Sequence, residues 1–278
     1  MVGGDGDRPV APGSTRGLGL EVLLVLGVSL GADALRSILR IIDRMTRAEP
    51  LASQSTQMNS SVAADRPWLD LAFQLTWIVT SLVPVALVMY LLWVRPALPE
   101  TVGNAGDGPV SANSRGLGNG LGFDLARPAS DLLRGFLLAF AIGVPGLGFY
   151  LMARELGVNT TVEPGNLAEN WWTIPVYMLA AAMNGIVEEV IMLGYLFLRL
   201  RQIGWTWWAI VVASALIRGS YHLYQGFGGF AGNVVMGIVF GLLFLRWRRS
   251  GPFVAAHTFI DIAAFIGYAM LAGRVDWL

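Results

Sequence analysis

Apolar stretches close to the roughly 20 residues needed to cross a bilayer's hydrocarbon recur seven times along this chain of 278 residues. They lie near 18–38, 72–94, 132–152, 172–198, 205–223, 230–247 and 253–272. The longest polar connection, 95–131, contains the run GNAGDGPVSANSRGLGNGLG and reads as a flexible loop with no packed core of its own. The pattern predicts an all-α fold, a polytopic transmembrane helical bundle of about seven spans. The chain then divides into an N-terminal tail (1–17), two spans with their connection (18–94), the flexible loop (95–131), a third span and its loop (132–170), a four-span block (172–266) and the end of the last span with a C-terminal tail (267–278). No internal repeat is visible. The first stretch also carries Ala32-Asp33-Ala34 behind a short apolar core, the pattern of a signal-peptide cleavage site, although Glu21 interrupts that core.

Composition agrees with a bilayer as the solvent. Hydrophobic residues make up 55% of the chain and charged residues 14%, where a soluble domain carries about 25% charged residues. The formal net charge is zero and no long basic run occurs, so nucleic acid is not an expected partner. Without cysteine the chain has no disulfide, no thiolate nucleophile and no Cys-ligated metal. Every basic residue is arginine. With the N-terminus in the cytoplasm, eleven arginines fall in inner connections, including Arg199/Arg201 and Arg246/Arg248/Arg249, and seven in outer ones, including the cluster Arg36 to Arg47. This bias predicts a multi-pass protein of the cell membrane with a cytoplasmic N-terminus.

Ionisable side chains inside apolar spans are costly and mark functional sites. The only two histidines, His222 and His257, both lie in such spans, and Glu188-Glu189 interrupts a third. Adjacent helical positions differ by about 100°, so one glutamate can line a cavity while the other holds a structural partner. Arg218 precedes His222 by one turn and His257 precedes Asp261 by one turn, so two helices each present a polar pair on one face. A carboxylate and imidazoles around a small wet cavity suit water activation: glutamate takes a proton from water, while histidine and an Asp-oriented histidine donate to a developing oxyanion. Ser220 is not embedded in a Gly-x-Ser-x-Gly turn and reads as a helix-packing residue. Without chemistry, the same groups could lock helices together as buried, paired charges.

Glu188-Glu189, His222 and His257-Thr-Phe-Ile-Asp261, in this order and spacing over about 172–266, resemble the CPBP (Abi) family of CAAX proteases and bacteriocin-processing enzymes, with its motifs EExxxR, FxxxH and HxxxN or HxxxD. The resemblance implies an intramembrane endopeptidase acting on a peptide or protein substrate in the membrane. It implies that Glu188 and His222 activate water and that His257 with Asp261 holds the oxyanion. Two histidines and carboxylates suit zinc; His222, His257 and Glu188 are the implied ligands if a metal is used, and a metal-free glutamate mechanism is equally open.

Two positions depart from the motifs. The expected arginine is Leu193 and the expected phenylalanine is Arg218. Since an unpaired buried charge is costly, Arg218 is expected to replace the missing arginine by pairing with Glu189 across the helix interface. A degenerate, non-catalytic scaffold is the alternative, as is a proton-coupled transporter, although no related halves of the kind transporters show are visible. Straight spans also raise a difficulty. His222 would lie about 17 residues, roughly 25 Å, from the inner end of its helix and His257 only about 4 residues in. To meet, either the turn at 249–252 dips into the bundle or the fifth span starts elsewhere.

Overall fold

The computed structural model describes residues 14–96, 121–271 and 274–275. Among them the chain is helical throughout except for short connections and one small sheet: α1 (Thr15–Gly27), α2 (Leu30–Met45), α3 (Pro67–Ser81), α4 (Val83–Val94), α5 (Pro128–Glu155), α6 (Thr173–Glu189), a π-helical turn (Val190–Tyr195), α7 (Leu196–Ile203), α8 (Trp207–His222), α9 (Phe227–Trp247) and α10 (Gly251–Leu271). Proline stands in the first turn of α3, α4, α5 and α10, where its missing N–H costs nothing. Gly204, at φ +102°, closes α7 in the left-handed region.

Each of the seven expected stretches is helical, but not each is a span. Five helical runs are long and apolar enough to cross a membrane: Pro67–Val94, Pro128–Glu155, Thr173–Ile203, Phe227–Trp247 and Gly251–Leu271. The first expected span is instead the pair α1–α2, bent by 53°. The fifth is α8, whose 16 residues reach only about 24 Å, less than the hydrocarbon thickness of about 30 Å. The count is thus five, or six if the bent pair is one span.

The run α6–π turn–α7 is the hub, with 67% of its membrane-length window buried against at most 28% for the other runs. The outward faces of α3, α4 and α5 expose Val79, Trp93, Leu132, Phe136, Leu137 and Phe140, surface that lipid rather than water solvates. Tryptophans mark both ends of the hub. At its start Trp172 packs on Trp68 and Trp171, with ring centroids 4.5 and 5.3 Å away. Beyond its end, Trp207 lies under Arg201 and Arg248 at 5.1 and 4.9 Å, beside the exposed Trp205 and Trp208. These are the two aromatic girdles of a membrane protein, and Glu188 sits about midway between them along the helix.

Irregular backbone lies at that depth as well. α8 ends at His222 in a tight turn, Leu223–Gln225, over which β1 (Ser55–Gln57) and β2 (Thr161–Glu163) form a two-stranded parallel sheet in the register Ser55–Thr161, Thr56–Val162 and Gln57–Glu163. The Thr160 N–H donates to Gln225 O at 2.9 Å, the Phe227 N–H to Val158 O at 2.9 Å, and the Tyr224 N–H to Ser37 Oγ at 2.6 Å. Such backbone is tolerated inside a membrane protein because protein groups satisfy it and it borders a cavity.

Two expectations about the connections need correction, and one sequence pattern falls within a helix. The end of the 95–131 loop is packed: Leu121 is 1% exposed, its carbonyl accepts from Ser250 N–H and Oγ at 3.1 and 2.9 Å, and α5 already starts at Pro128; 97–120 lie outside the described residues. Arg249 pairs with Asp124 and Asp131 there at 2.9 and 2.7 Å, and this bonding holds the Asp124 carboxyl below the usual carboxylate range. Ala32-Asp33-Ala34 lies inside α2, with Ala34 buried. Lastly, Arg36, Arg40 and Arg44 sit on α2 and Arg199 is a fully buried residue of α7, so these four are not loop charges and carry no orientation signal. The expected tails at 1–13 and 276–278 lie outside the described residues.

Candidate active site

The hub helix presents Glu188 and Glu189 at the end of α6, immediately before the π-helical turn. Such turns widen the helix by one residue and recur at functional sites. Glu189 is fully buried and points away from solvent into a closed cluster. Arg218 donates through one terminal nitrogen to both of its oxygens at 2.7 Å, and His257 Nδ1 lies 2.7 Å from Oε1. Leu193, where the motif has arginine, is packed in the core at 1% exposure within the π turn. The guanidinium that Glu189 needs therefore comes from α8.

Glu188 has a different environment. Its Oε2 accepts from the Tyr221 hydroxyl at 2.7 Å and from Arg218 at 3.3 Å. His222 Nε2 and His257 Nδ1 stand 3.7 and 3.8 Å from that same oxygen, beyond hydrogen-bond reach. Both ring nitrogens of His222 are buried without a protein partner. Glu188 also lines a cavity of about 780 Å³, together with Asn184, Met183, Val187 and Tyr221.

The two histidines thus meet at one carboxylate, despite the difficulty posed by straight spans. The first alternative describes the structure: Ser250 is completely buried under Leu121, so α10 starts inside the bundle. The non-helical residues are Arg248 to Ser250, while Gly251 and Pro252 already belong to α10. α8 likewise starts within two residues of its expected boundary and ends in the interior. Close approach of α10 to α6 depends on Gly185, where a Cβ would stand 2.7 Å from Thr258 Oγ1 and 2.9 Å from Val254 O.

Asp261 departs from its expected role of orienting His257. Its Oδ1 is 3.7 Å from His257 Nε2, and Oδ2 instead accepts from Asn184 Nδ2 at 2.9 Å. Glu189 holds His257, because it reaches Nδ1 at hydrogen-bond distance and Asp261 does not reach Nε2. Ser220 Oγ donates to Leu216 O at 2.7 Å, a bond within its own helix. Asn184 and Tyr221 are site residues that sequence reasoning missed. Asn184, one turn before Glu188 on the same face of α6, was the available signal.

Zinc fits this arrangement poorly. Ligand atoms of Glu188, Glu189 and His257 do lie within 4.8 Å of one another, and His222 is outside that set. However, the Arg218 guanidinium already donates to both carboxylates, and His257 Nδ1 is engaged with Glu189. A metal would have to share with a fixed cation the lone pairs it needs.

Order and geometry of these residues can be set beside known families. Residues 170–263 match the Rce1-like family, type II CAAX prenyl endopeptidase. The match covers about a third of the chain, from the start of the hub helix to just past Asp261, and agrees with the CAAX-protease motifs carried by Glu188-Glu189, His222 and His257. No curated protein and no solved structure matches the chain. The protein is a multi-pass membrane protein with an Rce1-like segment, and the Glu188, Glu189, Arg218, Tyr221, His222, His257 and Asp261 cluster with Asn184 lies within that segment.

Proposed function

We propose that the protein is a CAAX-type intramembrane endopeptidase that hydrolyses a peptide bond of a membrane-associated substrate by glutamate-activated water, without a metal. The observation that carries this reading is the asymmetry of the glutamate pair. Glu189 is saturated by Arg218 and His257, whereas Glu188 opens on the cavity beside a histidine with two unpartnered nitrogens. Both donors to Glu188 land on Oε2, so Oε1 is the oxygen open to water.

A water between Glu188 and His222 loses a proton to Glu188 as its oxygen attacks the scissile carbonyl carbon. The carbonyl oxygen becomes the oxyanion. Asn184, which lines the cavity and whose Nδ2 has a second hydrogen beyond the one given to Asp261, supplies one donor, and His222, 3.7 Å from Glu188 Oε2, supplies the other from behind the cavity wall. Collapse breaks the C–N bond, and Glu188 returns its proton to the departing amine. Arg218 and Glu189 fix the carboxylate and His257 without touching the substrate.

The test is cleavage of a peptide library by purified full-length protein in detergent, with products identified by mass. Wild type is expected to cleave and the Glu188→Gln variant to leave the peptides intact while remaining folded. Equal cleavage by both would refute the assignment of the base.

A further inference from the structure

The cavity that reaches Glu188 is built asymmetrically. α2 packs on α8 and α3 packs on α6, and the cavity lies between α2 and α3. The α3–α4 side supplies Phe73, Trp77 and Pro84 together with the uncharged polar residues Gln74, Thr80 and Ser81. The α2 side carries the charges, Arg36 and Arg40 with Asp33. Neither helix belongs to the Rce1-like segment, so this wall lies outside the family match.

The two arginines differ. Arg36 is paired with Asp33 at 2.8 Å, one turn away on the same helix. Arg40 has no carboxylate partner among the described residues, and its guanidinium lies 5.8 Å from the Tyr224 ring centroid, in the turn that follows His222. Arg40 is exposed and lines the cavity, and α2 is anchored beside that turn where Ser37 accepts the Tyr224 N–H. A guanidinium without a carboxylate partner, on the wall of a cavity whose far side carries no charge, suits one planar anion, and a carboxylate matches its fork of donors.

Resting on the reading that the site takes a peptide, we infer that Arg40, assisted by Arg36, binds a carboxylate of the substrate and thereby sets which bond is presented to Glu188. That carboxylate is either the peptide's C-terminus or an acidic side chain near the scissile bond. Its negative charge would otherwise approach Glu188 unscreened, so the arginines both attract the substrate and keep its anionic end away from the base. Phe73, Trp77 and Pro84 receive the substrate's hydrophobic side chains.

The experiment uses full-length protein in detergent and one fluorescently labelled hydrophobic peptide in three forms: free C-terminal acid, C-terminal amide, and free acid with its acidic side chain replaced by glutamine. Affinity is read by anisotropy in the Glu188→Gln background, where the peptide stays whole, so this readout is independent of cleavage. Removing the recognised carboxylate should weaken binding about ten-fold, the scale of a charge-assisted hydrogen bond. In the additional variant Arg40→Gln the acid and its neutral counterpart should bind equally, and Arg40→Lys should restore part of the difference. Sensitivity to the amide assigns the C-terminus, and sensitivity to the glutamine form assigns the side chain. If all three peptides bind the Arg40 form equally, or Arg40→Gln weakens them all alike, the carboxylate subsite is refuted. Charge-dependent binding without any cleavage by the parent protein would leave the subsite standing and overturn the protease reading instead.

Discussion

Two buried ionic clusters lie on the same helical run, and only one of them looks like a site. At the α7 end, Arg199 donates to Glu21, to the carbonyls of Arg95 and Leu91 and to Gln202, while Glu21 also accepts from Tyr195 at 3.0 Å and pairs with Arg95 at 3.3 Å. These partners are all protein groups, and Glu21 is not among the residues lining the Glu188 cavity. Around Glu188 the same ingredients, a buried carboxylate and a buried arginine, leave His222 with two unpartnered nitrogens and one carboxylate facing open volume. A charge inside a membrane protein therefore does not by itself identify chemistry. Complete satisfaction indicates a staple, and a deliberate shortfall beside a cavity indicates a reaction centre.

Replacing one member of each cluster should separate the two roles. Glu188→Gln and His222→Ala are expected to lower kcat by about 10²–10⁴-fold, the usual loss for a general base, with little change in the melting temperature. Arg199→Leu strands Glu21 without its buried partner and should cost about 3–5 kcal/mol of stability, while the surviving folded fraction keeps its kcat. Detergent melting curves and active-site-normalised rates give both axes. A catalytic collapse in Arg199→Leu at full stability would erase the distinction.

Arg218 is intermediate, since it staples Glu189 yet also touches Glu188. Arg218→Leu should lose both stability, again by about 3–5 kcal/mol, and activity. The double change Leu193→Arg with Arg218→Phe rebuilds the family's arrangement around the same Glu189 and should recover part of the loss, a coupling between adjacent helices that a double-mutant cycle measures. Wild-type melting and cleavage in Arg218→Leu would show that Glu189 does not depend on it.

Much of this contrast can be traced to what a sequence carries. Glu188, Glu189, His222, His257 and Arg218 stand out because each is titratable within an apolar span, and the pairing of Arg218 with Glu189 follows from the cost of leaving either alone. Asn184 and Tyr221 carry no charge and so raise no alarm in an apolar pattern. The partnership of Glu21 with Arg199, 178 positions apart, depends on tertiary packing that no local spacing encodes. Hydropathy located the helices but missed the α1–α2 bend and the depth at which α8 ends, since a window average carries neither bend angle nor depth. The i, i+4 spacing of His257 and Asp261 brings them to 3.7 Å, an ion-pair contact rather than the orienting hydrogen bond expected.

Metal removal offers a smaller effect that sharpens the reading of the reaction centre. With Arg218 already occupying the carboxylates, dialysis against a strong chelator should leave the cleavage rate within about two-fold, whereas a required zinc would be stripped along with activity. Elemental analysis of the same sample accompanies the assay. Loss of activity on chelation, restored by one equivalent of zinc, would mean that Arg218 and His257 rearrange when metal binds, and the metal-free mechanism would fall.

The smallest expected effect belongs to Ser220, the aliphatic hydroxyl nearest in sequence to His222. Its Oγ is already committed to Leu216 O at 2.7 Å, a bond to the preceding turn of its own helix. Such a back-bond is common for serine in helices and stabilises little, so Ser220→Ala should change stability by no more than about 0.5 kcal/mol. Direct attack by water predicts an unchanged kcat as well, because no covalent acyl intermediate on serine is formed. A serine nucleophile activated by His222 predicts the opposite, a loss as severe as that of Glu188→Gln together with the disappearance of any initial burst of product. A fall of a hundred-fold or more in Ser220→Ala at unaltered melting temperature would therefore transfer the nucleophile from water to Ser220 and reduce Glu188 to an electrostatic support for the histidine.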